Sequence, residues 1–348
     1  MKTSIKNIIT IVFLAIGLGA LYYILRQYSL KEIFSVYRNF NPLILLFYIL
    51  AVVAIMVVLT WRWDVIMKSR NIKVPFKNLV IYRIIGVSIN FLTPGPRVGG
   101  EPTQASLLTK HNIDFTEGLT TIMIDKIIDV TTSGILFMMG VLLVGLKYSF
   151  PRNTEIALSI GGVLFLGLIA SFYYRMLTSR HFFLKIFHFL HLDRINSAYW
   201  KKAEAKVEEV ELMMIQFYKH NKKAFLKSLA ISVLSWGVMF VEYKLATTLL
   251  GINVGVPEIF FIVSFIGIAI LFPIPMAVGV LEAGQLSAFA LINLNANSAI
   301  ALAFLVRIKD IIWAIIGIIL LAAYGFHVGK VVKKKYKNKK LDVQDDKM

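Results

Sequence analysis

Long apolar runs alternate with short basic connectors along this 348-residue chain. A hydrocarbon core ~30 Å thick needs about 20 helical residues to cross it. Six runs meet that length: 7–25, 43–61, 119–146, 156–174, 227–250 and 298–326. The first follows Lys2 and Lys6 as a secretory signal would, but it outruns the usual h-region of such signals and reads as a retained span. Two further runs, 79–108 and 256–292, are interrupted by Pro94-Gly95-Pro96 and by Pro273-Ile274-Pro275. Proline removes a backbone donor and clashes with the preceding turn. Each run therefore predicts two half-helices, as a re-entrant hairpin or a broken span. The expected fold class is all-α: a polytopic integral membrane protein of about six full spans plus two hairpins.

Between the fourth and fifth spans lies the one sizeable polar insertion, residues 176–218. Its first part, 176–200, is rich in Phe, Leu, His and Arg and predicts an interfacial amphipathic helix; 201–218 predicts a charged helix. The end, 327–348, is a basic tail expected to be solvated and disordered.

Composition agrees with this pattern. Apolar residues make up 57% of the chain, and mean hydropathy is +0.71, well above soluble domains. Lys and Arg outnumber Asp and Glu by 38 to 20, mostly in the connectors, which points to anionic lipid headgroups rather than nucleic acid. If the hairpins return to their own side, one face holds 28 Lys/Arg and the other 5. The positive-inside rule then predicts a multi-pass protein of the cell membrane with both termini cytoplasmic. There are no cysteines, which excludes disulfides, thiolate metal sites and a cysteine nucleophile.

Sliding the chain over itself by 181 residues aligns 83–131 with 264–312 without a gap, and 11 of the 49 positions are identical. Pro94, Glu101, Gln104, Ser106 and Asp129 fall on Pro275, Glu282, Gln285, Ser287 and Asp310, and Lys126 falls on Arg307. Repeat 1 is taken as 37–146 and repeat 2 as 218–326. An odd number of crossings separates equivalent spans, so the repeats are expected to be inverted, the architecture of many transporters.

Eleven charges remain in or beside the apolar runs: Arg97, Glu101, Asp125, Lys126, Asp129, Glu242, Lys244, Glu282, Arg307, Lys309 and Asp310. Charges at such depth pair with one another or line a pathway, and either reading accounts for these. The segment from Pro94 to Pro102 is the leading candidate for chemistry. Gly99 and Gly100 let backbone N–H groups converge at the start of a half-helix and, with Arg97, could hold a phosphate; equally, Gly and Pro make the turn. The candidate headgroup-binding residues are Arg97, Gly99, Gly100, Glu101, Gln104, Glu282 and Gln285. Asp125, Lys126, Asp129, Glu242, Lys244, Arg307, Lys309 and Asp310 form a candidate charge network. Val278 stands where Arg97 has its counterpart, so the two hairpins differ chemically. The six histidines show no metal spacing, and His181, His188 and His191 read as interfacial side chains. No catalytic residue and no cofactor are expected.

Three stretches carry a family resemblance: Pro-Gly-x-x-x-Gly-Gly-Glu-Pro from Pro94, Asp-Lys-x-x-Asp from Asp125, and Pro-x-x-x-Gly-Val-x-Glu-Ala-Gly from Pro275. Together they resemble the lysylphosphatidylglycerol synthase transmembrane family, also described as flippase-like, which includes the membrane half of the multiple peptide resistance factor. The resemblance implies movement of phospholipids or lipid-linked headgroups between leaflets, aminoacylated phosphatidylglycerol being one candidate. Bifunctional members attach the amino acid with a separate cytosolic acyltransferase domain; nothing of that size occurs here, so this chain alone is not expected to be an enzyme. The alternatives are an integral membrane transferase acting on a lipid carrier and an accessory subunit of a lipid-modifying enzyme. The expected partners are membrane phospholipids, with a homodimer or a lipid-modifying enzyme as further options.

Overall fold

A computed structural model describes residues 40–93, 99–146, 152–189, 198–271 and 274–345, with isolated helical positions at 22 and 26. The span expected at 7–25 lies outside the described residues. Among the described residues the secondary structure is entirely helical: α1 Pro42–Ser69, α2 Phe76–Leu92, α3 Gly100–Leu108, α4 Phe115–Gly145, α5 Arg152–Leu177, α6 Phe183–Phe189, α7 Ala198–His220, α8 Lys222–Leu249, α9 Val256–Leu271, α10 Val280–Leu291 and α11 Ala296–Asp345, with 3-10 turns at Thr109–His111 and Pro275–Ala277.

Local chemistry sets these boundaries. Asn41 caps α1 by accepting the Leu43 N–H at 2.9 Å, and Pro42 occupies the first turn, where its missing N–H costs nothing. At the end of α2, Thr93 turns extended (φ −82°, ψ 136°) because the ring of Pro94 excludes the helical region for the residue before it. Both expected hairpins are indeed interrupted: α2 ends at Leu92 and helix resumes at Gly100, and α9 ends at Leu271 with α10 starting at Val280.

The 181-residue offset recurs element by element. Shifted by 181, α1 falls on 223–250, against the observed Lys222–Leu249 of α8; α2 falls on 257–273, against Val256–Leu271; α4 would begin at 296, where α11 begins. Even the details recur. Asn112 and Asn293 both adopt left-handed backbone after the short half-helix, with φ 59° and 57°. Asp114 and Asn295 both cap the following helix, accepting the N–H of Thr116 at 2.8 Å and of Asn297 at 2.7 Å.

The repeats interlock. α1 packs along α8; the first half-helix of each hairpin packs on the last helix of the other repeat, α2 on α11 and α9 on α4; the second half-helices α3 and α10 pack on their own α4 and α11. Each hairpin has its own apolar core, one around Trp63, Leu79, Ile85 and Leu107, the other around Phe261, Phe289 and the small residues Ala299 and Ala301. Small side chains at such contacts let helices approach in a membrane, where packing rather than water exclusion holds them together.

Among the described residues four helices are long and apolar enough to cross a membrane: Pro42–Ser69, Phe115–Leu143, Glu155–Leu177 and Lys222–Leu249. Their outward faces are apolar, for example Leu43, Phe47 and Leu50 on α1 and Ile160, Val163 and Leu164 on α5. That distribution suits hydrocarbon, since helices satisfy their backbone internally.

The insertion departs from the expectation of one amphipathic helix over 176–200. α5 runs to Leu177, the seven-residue α6 follows, and α7 starts at Ala198. The fully buried Glu211 of α7 fixes α6, accepting the backbone N–H groups of Phe182, Phe183 and Leu184 and facing His181 Nδ1 at 3.1 Å. A carboxylate suits that place because the first N–H groups of a helix have no partner within it. His188 faces Glu204 at 2.7 Å, and His191 lies outside the described residues. The tail expected as disordered instead continues α11 as helix to Asp345.

Candidate functional site

The charges on the spans and hairpins sort into four groups. In hairpin 1, Glu101 stands in the first turn of α3 and is 4% exposed. Its Oε1 accepts from Lys126 Nζ on α4 at 3.1 Å and from Asn90 Nδ2 on α2 at 3.2 Å. Its Oε2 is buried with no hydrogen-bond partner among the described residues. Lys126 holds only one carboxylate oxygen, and its side chain is 43% exposed.

Gly100 explains how α3 is seated. A Cβ there would lie 2.1 Å from the Gly86 carbonyl oxygen, so the two backbones touch. The Gly100 N–H is donated to Asn90 Oδ1 at 2.6 Å. The convergent N–H groups expected of Gly99 and Gly100 are thus partly committed already, and Gly100 serves close packing. At Gly86 a Cβ would strike the Gln104 amide at 2.0 Å, so Gln104 is folded over this contact. Arg97 lies outside the described residues.

Hairpin 2 solves the same problem differently. Glu282, at the position equivalent to Glu101, is 1% exposed and grips Arg307 with both oxygens: Nε donates to Oε1 at 2.6 Å and Nη2 to Oε2 at 2.9 Å. Oε2 also accepts the Gly279 N–H at 2.9 Å. Gly279 has φ 78°, a conformation open to glycine. Met276 and Ala277 are left-handed without that freedom, at φ 56° and 49°. Arg307 binds both of their carbonyls, at 2.8 and 3.1 Å. Strained backbone persists only where its surroundings determine it, and here the guanidinium supplies the restraint. On α10, Gln285 is fully buried and neither amide atom has a hydrogen-bond partner.

The third group lies between α1, α2, α4 and α8. Arg62, 1% exposed, donates through Nε to Asp125 Oδ1 and through Nη1 to Asp129 Oδ1 and Ser232 Oγ, each at 2.7 Å. Arg83 donates to the other Asp125 oxygen at 2.9 Å and sits over the Trp63 ring. Neither arginine was among the expected network residues, because both stand at the ends of apolar runs and were counted with the connector between them. Without these two the basic face holds 26 Lys/Arg against 5. The pairing of Asp125 with Asp129 one helical turn apart was the available signal, since two carboxylates sharing one face of an apolar run require cations nearby.

In the fourth group, Lys309 on α11 donates to Glu242 on α8 at 2.6 Å beside the Tyr243 ring. Repeat 1 joins its first and last spans with a cation on the first and anions on the last; repeat 2 reverses the signs. Asp310 adjoins Lys309 in sequence on the same helix. Lys244 stands apart from this group: its Nζ donates to the Val254 carbonyl at 2.7 Å and closes the loop before α9.

Comparison with known proteins agrees with this architecture. The chain is 24% identical over 267 residues to a UPF0104 membrane protein of Pyrococcus horikoshii, covering 72% of this chain and 78% of that one. It is 24% identical over 281 residues to one of Methanothermobacter thermautotrophicus, covering 77% and 81%. Over a shorter stretch of 152 residues it is 30% identical to one of Methanocaldococcus jannaschii, covering 42% and 43%. The family description "Lysylphosphatidylglycerol synthase TM region" matches residues 10–318. A match across nearly the whole chain, hairpins and charged spans included, makes this polytopic membrane protein a member of the lysylphosphatidylglycerol synthase transmembrane-region family.

Proposed function

We propose that this protein is a lipid translocase, carrying the polar headgroup of a phospholipid between leaflets along the hairpins while the acyl chains stay in lipid. One observation carries this reading: the second half-helix of each hairpin holds a buried polar group with unused hydrogen-bonding capacity, Glu101 Oε2 in repeat 1 and the Gln285 amide in repeat 2. Such a group costs about 1–3 kcal/mol when left unmade, and a passing headgroup would satisfy it. A polar route also avoids the cost of taking a headgroup bare through hydrocarbon.

In this reading Glu101 meets the headgroup and Lys126, half-exposed beside it, exchanges between Glu101 and a phosphate. Glu282 and Arg307 hold the second hairpin's turn. The roles of Arg97 and Gly99 at the phosphate rest on the sequence. Inversion of the repeats would let the site open to either side in turn, and the 26 to 5 charge asymmetry supports cytoplasmic termini in the cell membrane. Family membership supports aminoacylated phosphatidylglycerol as one substrate.

The test is leaflet exchange of fluorescent phospholipids of varied headgroup in proteoliposomes. Native protein should accelerate exchange selectively by headgroup, and Glu101→Gln and Arg97→Ala should abolish it while the protein stays folded. Exchange no faster than in protein-free liposomes across the panel would sink the proposal in favour of a lipid-carrier transferase or an accessory subunit.

A further inference from the structure

A cleft of about 400 Å³ opens where the end of α1 meets the junction of α7 and α8, lined by Ser69, Arg70, Gln216, His220 and Asn221. None of its lining residues belongs to a hairpin, and it plays no part in the translocation reading.

Arg70 dominates its chemistry. It caps α1, and its side chain is 13% exposed. The guanidinium carries five N–H donors, yet its contacts are sparse. Nη1 donates to the Met213 carbonyl at 3.2 Å, and Nη2 lies 3.9 Å from Glu117 Oε1, beyond hydrogen-bond reach. Nε is buried without a partner. Burial pushes the Arg70 pKa down, and the charge of Glu117 offsets this only in part. The cation is therefore largely removed from water, with one carboxylate nearby at 3.9 Å that accepts no hydrogen bond from it.

The remaining lining favours an anion too. Gln216 and His220 are exposed and bring an amide and an imidazole to the rim. Asn221 spends one amide hydrogen on the Ser69 carbonyl at 2.8 Å, fixing the α7–α8 junction against α1. Among the described residues no carboxylate lines the cleft. Donor groups around an under-satisfied guanidinium suit a tetrahedral oxyanion, for which the arginine fork is matched in shape.

We propose that this cleft is a phosphate-binding site, recognising either the phosphodiester of an anionic lipid headgroup or free phosphate. A volume of about 400 Å³ accommodates a phosphate with part of its headgroup, and the site stands at the end of a span, where headgroups lie.

The test is the thermal unfolding of the full-length protein in a zwitterionic detergent, titrated with inorganic phosphate, with short-chain phosphatidylglycerol and with short-chain phosphatidylcholine, against chloride at matched ionic strength. A ligand bound only by the folded state raises the midpoint with its concentration. A rise with phosphatidylglycerol alone assigns the site to lipid; a rise with inorganic phosphate as well assigns it to the oxyanion itself. In both cases Arg70→Gln should weaken the apparent affinity about tenfold or more, the loss of one charge-assisted contact. Because Arg70→Gln also alters the cap of α1, the rim variants Gln216→Ala and His220→Ala serve as the second measure, each expected to weaken binding roughly threefold without lowering the ligand-free midpoint. No rise with any anionic ligand, or equal rises in native protein and all three variants, overturns the proposal.

Discussion

The two hairpins occupy equivalent positions 181 residues apart, yet one is locked and the other is not. In hairpin 2 a single arginine saturates the carboxylate of Glu282 and binds two carbonyls of a strained turn. In hairpin 1 a lysine touches one oxygen of Glu101 and leaves the other empty. The residue types account for the difference. A guanidinium is a planar fork that satisfies several acceptors at fixed angles, whereas an ammonium is a point charge on a flexible stem. A symmetry of position is therefore joined to an asymmetry of pairing, with one carboxylate fully satisfied and the other only on one oxygen.

The largest effect should come from removing the lock. Arg307→Ala leaves Glu282 buried without a cation and frees the Met276–Ala277 turn, and should cost about 3–5 kcal/mol, read as a lowered unfolding midpoint in detergent. Lys126→Ala also takes a cation from a buried carboxylate, but Lys126 touches one oxygen from a half-exposed position that water can refill, so it should cost less, about 1–3 kcal/mol. Equal losses in the two variants would break the comparison.

Next comes the seating of α3. Gly100→Ala drives a methyl into the Gly86 carbonyl, so it should cost about 1–3 kcal/mol. The equivalent position in repeat 2 is Leu281, which is buried; Leu281→Ala should instead open a cavity at about 2–5 kcal/mol. Crosslinking between cysteines placed on α2 and α3 should slow for the glycine variant, reporting the separated backbones.

The smallest effect concerns the helix caps. Asp114→Ala and Asn295→Ala should each cost about 1 kcal/mol, but only the first should depend on pH. The Thr116 N–H, aided by the nearby Lys206 charge, holds the Asp114 carboxyl below its ordinary value of 3.8. Its pKa falls on folding, so its stabilisation is complete above 3.8 and is lost as pH drops through the lower folded value. Comparing native protein with Asp114→Ala across that acid range should show the difference closing; the Asn295→Ala difference should stay flat.

The elements themselves were legible because their causes are local. Pro94 and Pro273-Ile274-Pro275 interrupt the apolar runs through backbone sterics, so both hairpins could be placed without a neighbour. The insertion was harder: α6 is short and depends on Glu211, a residue 27 to 29 positions along the chain. Glu101, Glu282, Lys126 and Arg307 could be named as special and even as equivalents. Their unequal pairing could not, because it turns on which donors the folded backbone brings within hydrogen-bond reach.

The sequence by itself determined an all-helical, multi-pass chain, two interrupted hairpins and a repeat in register, since apolar length, proline sterics and aligned identities are properties of the chain alone. Only the tertiary structure decided that Arg62 and Arg83 leave the connector to join Asp125, that Ser232, 170 residues from Arg62, completes that group, and that Glu101 keeps a free oxygen where Glu282 has none. Those outcomes depend on how helices lie side by side, and at a spacing of a few ångströms the reach and shape of each cation settle which carboxylate is satisfied.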